Sequence, residues 1–261
     1  MMEFRWQGKI VNLQGVSEVD WIYSSIKKTG TFYEIDLLKY IRYAMRGRHG
    51  CILDIGANIG NHSVFFGMFV SNAVICFEPN PSVLPILKTN LTKNRIHHKL
   101  YQLGLGEREA EAAIELPSTA INNIGAARLI ENQPDIRGSV HIVTLDSLLP
   151  EIKAFTGGLD VLAMKIDVEG MEPAVLRGAK TVIDEYKPDL FIEVLNQEQM
   201  EKIEAILLPI GYKRIIAWGA TPVWHFVHRE RWNMIRMTQI FIYILRCKLA
   251  PLILRKIRSF K

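Results

Sequence analysis

The chain has 261 residues, 49% of them hydrophobic, with a formal net charge of +5. That length supports one sizeable core, an α/β domain with trimmings, and leaves no room for a second catalytic domain. The start, Met1–Gly8, has no apolar core of signal-peptide type, and Cys51, Cys76 and Cys247 are odd in number and lack metal-ligand spacing, so a reducing cytoplasm is expected.

Residues 1–50 read as a cover segment with a polar, glycine-punctuated start and a helix carrying Ile35, Leu37, Leu38, Ile41, Tyr43 and Met45. Within it, Tyr33 can staple the start of that helix and Glu34 can favour its positive end. Residues 51–61, Cys-Ile-Leu-Asp-Ile-Gly-Ala-Asn-Ile-Gly-Asn, then form a short apolar run and a turn of small residues, and 62–70 are apolar enough for a helix. Strand, glycine turn and helix make a nucleotide-cradling βα unit, in which Gly56 and Gly60 let a ligand lie against bare backbone near a helix N-terminus. The spacing Gly-x-Asn-x-Gly departs from the dinucleotide fingerprint. Asp54 is expected to face the pocket, where a negative charge disfavours a pyrophosphate and favours a cation. The next strand, Ala73–Phe77, ends at Glu78, placed to hold the two hydroxyls of a ribose. A ligand with a ribose and a positive charge but no phosphate is S-adenosylmethionine.

Further along, 81–94 reads as a helix and 97–103 as a third strand, followed by Gly104-Leu105-Gly106. His97 and His98 point to opposite sides of an extended chain and read as solvated. Residues 117–138 are irregular, and Asn122, Asn123 and Gly125 are residues any turn uses. Residues 141–145 read as a strand and Asp146 as the cap of the helix that follows. The strand 159–166 should neighbour the Asp54 strand and ends in Asp167-Val168-Glu169-Gly170, beyond the carboxyl edge of the sheet where ligands bind. Asp167 and Glu169 share one side of an extended chain. They can steady a sulfonium, take a proton from an attacking hydroxyl, or hold a divalent ion that acidifies that hydroxyl. Glu172 and Pro173 open the next helix, as an acid and a proline commonly do. Strand 188–194 brings Glu193 to the same rim. An amphipathic helix at 197–208 and a hairpin, 212–218 with 222–227, close the domain, with His225 and His228 in poor ligand geometry.

Between Arg231 and Lys261 there are eight Lys or Arg and no acids, so the preceding 230 residues carry a net charge of −3. Arg236, Gln239, Tyr243 and Arg246 form a polar stripe at helical spacing amid apolar residues. This tail, 231–261, is too short and too charged to span a bilayer; it either lies on an anionic membrane or packs on the protein or a second subunit.

Five motifs in order resemble the FkbM family of S-adenosylmethionine-dependent methyltransferases: Phe32-Tyr33-Glu34, Leu53 to Asn61, Phe77 to Pro81, Thr144-Leu145-Asp146 and Lys165 to Glu172. The resemblance implies a Rossmann-like class I methyltransferase fold for 51–230: a mostly parallel seven-stranded sheet with a C-terminal antiparallel hairpin and helices on both faces. It implies donor binding by Asp54, Gly56, Ala57, Asn58, Gly60, Glu78, Asn80, Gly104, Leu105 and Asp167, catalysis by Asp167 and Glu169, and substrate contacts at Tyr33, Glu34, His62, Asn123 and Glu193. The implied reaction is O-methylation of a hydroxyl on a sugar, glycan or secondary metabolite. If the tail meets the inner membrane face, a lipid-linked glycan is the natural acceptor. Two alternatives stand beside it: a nucleic-acid methyltransferase, which lacks here the Asp/Asn-Pro-Pro-aromatic loop after the fourth strand, and a non-catalytic membrane-associated domain. No nucleic-acid partner is expected.

Overall fold

The structure, a computed structural model, describes residues 1–115, 127–131, 139–219 and 221–249. The polar, glycine-punctuated start is folded. It is a hairpin, β1 (Met2–Trp6) and β2 (Lys9–Leu13), turned at Gln7 and Gly8, both with positive φ. Phe4, Val11 and Leu13 point into the core, a period-two pattern too short to stand out in the sequence. Two helices follow, α1 (Trp21–Thr29), capped by the Asp20 side chain, and α2 (Ile35–Ala44).

Strands and helices then alternate: β3 (Cys51–Ile55), α3 (Asn61–Phe69), β4 (Ala73–Phe77), α4 (Leu84–Lys93) and β5 (His98–Tyr101). A second small sheet interrupts the pattern, formed by β6 (Gly104–Leu105), β7 (Ala110–Glu115), β8 (Arg128–Glu131) and β9 (Val140–Val143) in the order β6–β9–β7–β8. The main wind resumes with α5 (Leu149–Thr156), β10 (Val161–Ile166), α6 (Glu172–Arg177), α7 (Lys180–Tyr186), β11 (Asp189–Glu193) and α8 (Gln197–Leu207). It closes with β12 (Tyr212–Trp218), β13 (Val223–His228) and α9 (Met234–Ile244), which widens into a π-type turn over Leu245–Leu249.

The main sheet runs β12–β13–β11–β10–β3–β4–β5. The four pairings that join β11, β10, β3, β4 and β5 are parallel, and the β12–β13 hairpin adds antiparallel to β11. This is the seven-stranded arrangement that the sequence implies. Strands β3, β4, β10 and β11 are buried at every position, as covered parallel strands must be. Alternate residues of β3 feed opposite cores: Cys51, Leu53 and Ile55 face α5 to α8, whereas Ile52 faces α2, α3 and the N-terminal hairpin.

One expectation changes. Asp146 does not cap α5; its carboxylate accepts from the amides of Thr181 and Val182 and so caps α7. His225 is fully buried, its Nε2 2.8 Å from Asp189 Oδ2 and its Nδ1 2.7 Å from the Tyr40 hydroxyl. Of the polar stripe of the tail, Arg236 and Tyr243 turn inward, pairing with Asp189 and packing on Tyr43, while Gln239 and Arg246 are exposed. Among the described residues no helix is long and apolar enough to cross a membrane.

Asp189 is thus a buried junction for α2, β13 and α9, with Arg48 Nη1 at 3.0 Å completing it. Burial pushes its carboxyl up, but the His225 hydrogen bond and the Arg236 and Arg48 charges outweigh burial and hold it at about 2. A folded value below the unfolded 3.8 means stability that is present above about pH 4 and is lost as pH falls through about 2. Asp189→Asn is expected to flatten this acid limb in denaturant titrations and to cost roughly 3–5 kcal/mol at neutral pH by stranding buried cations.

Candidate active site

A crevice of about 270 Å³ opens at the carboxyl ends of β3, β4, β10 and β11. Its floor is the turn after β3, where Gly56, Asn58 and Gly60 all take positive φ. A Cβ on Gly56 would stand 1.8 Å from the Asp167 carbonyl oxygen, so only glycine lets this turn press against the end of β10. The amides of Gly56 and Ala57 both donate to the Phe77 carbonyl at 3.0 Å, locking the turn to β4.

The same turn orients Glu78. Its Oε2 accepts from the Asn58 amide at 2.8 Å and its Oε1 from the Asn80 amide at 2.9 Å. Burial pushes the Glu78 carboxyl up, and these two amides offset part of that push. Each oxygen keeps acceptor capacity toward the crevice, the arrangement a vicinal diol requires.

Opposite Glu78 lies an acid cluster in which Asp167, Glu169 and Glu193 each offer an oxygen within 4.8 Å of the others. Lys165, only 3% exposed, anchors it: Nζ is 2.9 Å from Asp167 Oδ2 and 3.8 Å from Asp54 Oδ1, and donates to the Gly56 carbonyl at 3.3 Å. Burial alone would lower the Lys165 ammonium, but Asp167 and Asp54 more than compensate and raise it, so it stays charged. Burial would likewise raise Asp167, yet Lys165 and a hydrogen bond from Glu193 hold it below the usual carboxylate range. Glu193, buried beside that ionised neighbour, is pushed up to about 10 and keeps its proton, while its Oε2 has no partner. Glu169 is pushed up to about 7, first by burial and then by Asp167.

The two catalytic candidates do converge, though not by strand alternation. β10 stops at Ile166, and Glu169 takes φ 53, a left-handed conformation that costs about 1–3 kcal/mol in a residue with a side chain. Glu172 explains how that bend persists: fully buried, it accepts from the amides of Val168 and Gly170 and is gripped by Gln199. It is a brace for the acid loop and does not line the crevice.

The cover segment reaches the rim through Tyr33 and Glu34. The Tyr33 amide donates to Asn61 Oδ1 at 3.0 Å and its carbonyl accepts from Asn61 Nδ2 at 3.1 Å. Glu34, with φ 54, precedes α2 without capping it and lies 3.3 Å from His62 Nε2. Tyr33, Glu34, Gly56, Ala57, Asn58, His62, Glu78, Asn80, Gly104, Leu105, Asp167, Glu169 and Glu193 therefore share one crevice.

Asp54 and Gly60 do not line it. β3 runs one residue past Asp54, whose side chain points under α3, accepts from Ser63 and faces Lys165. Gly60 is a packing position: a Cβ there would meet Leu87 at 2.6 Å. Asn123 lies outside the described residues. Lys165 and Asn61 went unassigned by sequence reasoning. Lys165 was visible as the one cation in an apolar strand, but its partner Asp54 became apparent only through strand register.

The Methyltransferase FkbM domain matches residues 54–214, more than half of the chain. The chain belongs to the FkbM methyltransferase family. Membership implies S-adenosylmethionine as the methyl donor. No curated protein matches the chain. Among solved structures, it is similar to methyltransferase FkbM from Methylobacillus flagellatus KT, at 16% identity and a TM-score of 0.46, covering 83% of this chain and 48% of that one. The chain thus spans about half the length of that relative. An rRNA methylase from Streptococcus thermophilus is 11% identical with a TM-score of 0.43, covering 73% of this chain and 92% of that one. A putative methyltransferase from Streptococcus mutans, SMU.1697c in complex with SAH, is 12% identical with a TM-score of 0.42, covering 75% and 97%.

The crevice of this FkbM methyltransferase suits that donor on its own chemistry. Glu78 offers two fixed acceptors, Asn58 Oδ1 is buried without a partner, and the ionised Asp167 supplies negative charge where a sulfonium needs it. Glu78→Ala is expected to weaken S-adenosylmethionine binding on the order of a hundredfold by calorimetry, since hydrogen bonds to a charged group are worth about 1.5–3 kcal/mol each. Glu78→Gln should lose less.

Proposed function

We propose that this chain is an O-methyltransferase acting on a hydroxyl of an uncharged, polyhydroxylated acceptor such as a sugar, glycan or secondary metabolite. The observation that carries the reading is the division of labour within the acid cluster: a low Asp167, a protonated Glu193 and a Glu169 near neutrality. The donor supplies an electrophilic methyl group on a positively charged sulfur. Asp167 steadies that charge, since a carboxylate held low by Lys165 is a stable counter-ion and a poor base. Glu169, pushed up to about 7, has the affinity to take the hydroxyl proton as the new C–O bond forms. Glu193, whose proton is given to Asp167, offers its unpartnered Oε2 to accept from a hydroxyl of the acceptor on the same rim.

Magnitudes set the order of importance. Alignment of an in-line displacement is worth about 7–11 kcal/mol, whereas a general base contributes about 10²–10⁴-fold. The cover segment, pinned by Asn61, supports alignment and exclusion of water.

Among the described residues five carboxyl groups line the crevice, at Glu34, Glu78, Asp167, Glu169 and the protonated Glu193, against the single ammonium of Lys165. Such a rim repels a phosphate backbone, which argues against the nucleic-acid reading, as does the absence of Pro-Pro-aromatic after Asp167. An intact acid cluster argues against a non-catalytic domain. The three converging oxygens also favour a second reading, in which a divalent ion held by Asp167, Glu169 and Glu193 acidifies the hydroxyl.

With an identified hydroxyl acceptor, the rate should rise with pH through about 7 as Glu169 ionises, the donor's charge moving the limb to lower pH. Glu169→Gln should abolish that limb and lower kcat about 10²-fold with donor binding retained. Loss of activity on chelation, restored by magnesium or manganese, would favour the ion. A product whose added methyl group is not on oxygen would contradict the O-methyl assignment.

A further inference from the structure

α9 is amphipathic, and two members of its polar stripe, Arg236 and Tyr243, turn inward. Arg236 is half-buried against Asp189, Ile240 is 2% exposed, and Tyr243 packs on Tyr40 and Tyr43. The opposite face carries Met234, Ile235, Met237, Phe241, Ile242 and Leu245, between 38% and 81% exposed. At 100° per residue these six side chains fall on one broad arc. A helix that only packs on its own domain would bury that arc; here the buried arc is the one holding the arginine.

Charge indicates what covers the exposed arc. Tyr243 also borders a concavity of about 850 Å³ lined by Lys9, Lys39, Arg42, Arg46, Arg48 and His49, with no carboxylate in its lining. Arg48 spends its charge on Asp189 and Lys39 lies 3.4 Å from Asp36, but Lys9 and Arg42 are held by a carbonyl and an amide, which leave their charge uncancelled. Arg46 is exposed, as is Arg246 on the flank of the apolar arc. Past Leu249 the sequence adds Arg255, Lys256, Arg258 and Lys261 and no acid. A second copy of the chain would bring the same basic surface against itself. An anionic bilayer offers both an apolar layer and the opposite charge.

We propose that α9 seats its exposed apolar face in an anionic phospholipid surface, with the basic concavity beside it receiving headgroup phosphates. The helix begins near Asp189 at the amino end of β11, and Lys248, just past it, sits 4.5 Å over Trp218 at the tip of the hairpin. Thr221, beyond that tip, lines the crevice. The docked protein therefore holds the crevice rim near the bilayer. The inference rests on the helix and its charges and stands whatever the acceptor is.

The test is cosedimentation of the full chain with vesicles of phosphatidylglycerol and phosphatidylcholine, or of phosphatidylcholine alone. The chain should bind the anionic vesicles, release with rising salt, and bind neutral ones weakly. Phe241→Glu with Ile242→Glu should weaken binding at least about tenfold, and Lys39→Glu with Arg46→Glu should weaken it and flatten the salt dependence. Unchanged S-adenosylmethionine affinity in both variants shows that the fold is intact. Failure of the unaltered chain to bind anionic vesicles would overturn the proposal, as would binding indifferent to Phe241→Glu with Ile242→Glu. A dimer that this double variant dissociates would mean that a second copy covers the face.

Discussion

A single lysine buried between two strands sets the electrostatics of the crevice. Lys165 bridges Asp54 and Asp167 in a region with almost no access to water, where an unpaired ammonium would cost several kcal/mol. Once it is paired, the remaining assignments follow. Asp167 must be ionised, so Glu193 beside it must hold its proton, and Glu169, further out, is left near neutrality. The graded series of acids is a consequence of one cation placed by strand register, with Asp54 as its inner counter-ion.

The scaffold serves that placement. Parallel pairing of β10 with β3 puts Lys165 level with Asp54, and Gly56 allows the turn after β3 to close on the Asp167 carbonyl. Glu172 and Gln199 brace the loop that returns Glu169 to the cluster. At the far end of the sheet Asp189 ties the segment after α2, β13 and α9 together through Arg48, His225 and Arg236. The cover segment is thereby fastened at two places: through α2 at the foot of the sheet and through Asn61 at the rim.

Much of this was legible where local chemistry and position coincide. Gly56 and Glu78 could be read from sequence because a strand-end turn needs small residues and the second strand's end is where a diol is held. Asp54 sits one residue before the end of β3, and nothing in the run Cys-Ile-Leu-Asp-Ile shows that the last isoleucine still belongs to the strand. Glu169 joins the acid cluster through its own left-handed backbone, because alternation ends with the strand at Ile166. β7 reads Ala-Glu-Ala-Ala-Ile-Glu, a helical composition, and only its pairing with β8 and β9 makes it a strand. The polarity of α9 could not be read at all, because the partner of Arg236 lies far back in the chain at Asp189.

The most direct measurement is the proton balance of donor binding. Titrations of the chain near pH 7 with S-adenosylmethionine and with its neutral thioether product, each in buffers of different ionisation enthalpy, give the protons exchanged. A sulfonium beside Glu169 and Glu193 must lower their proton affinity, so the donor should release more protons than the product, and Glu169→Gln should narrow the gap. Equal proton exchange for the two ligands would contradict the account, because the charged sulfur would then lie away from the acids.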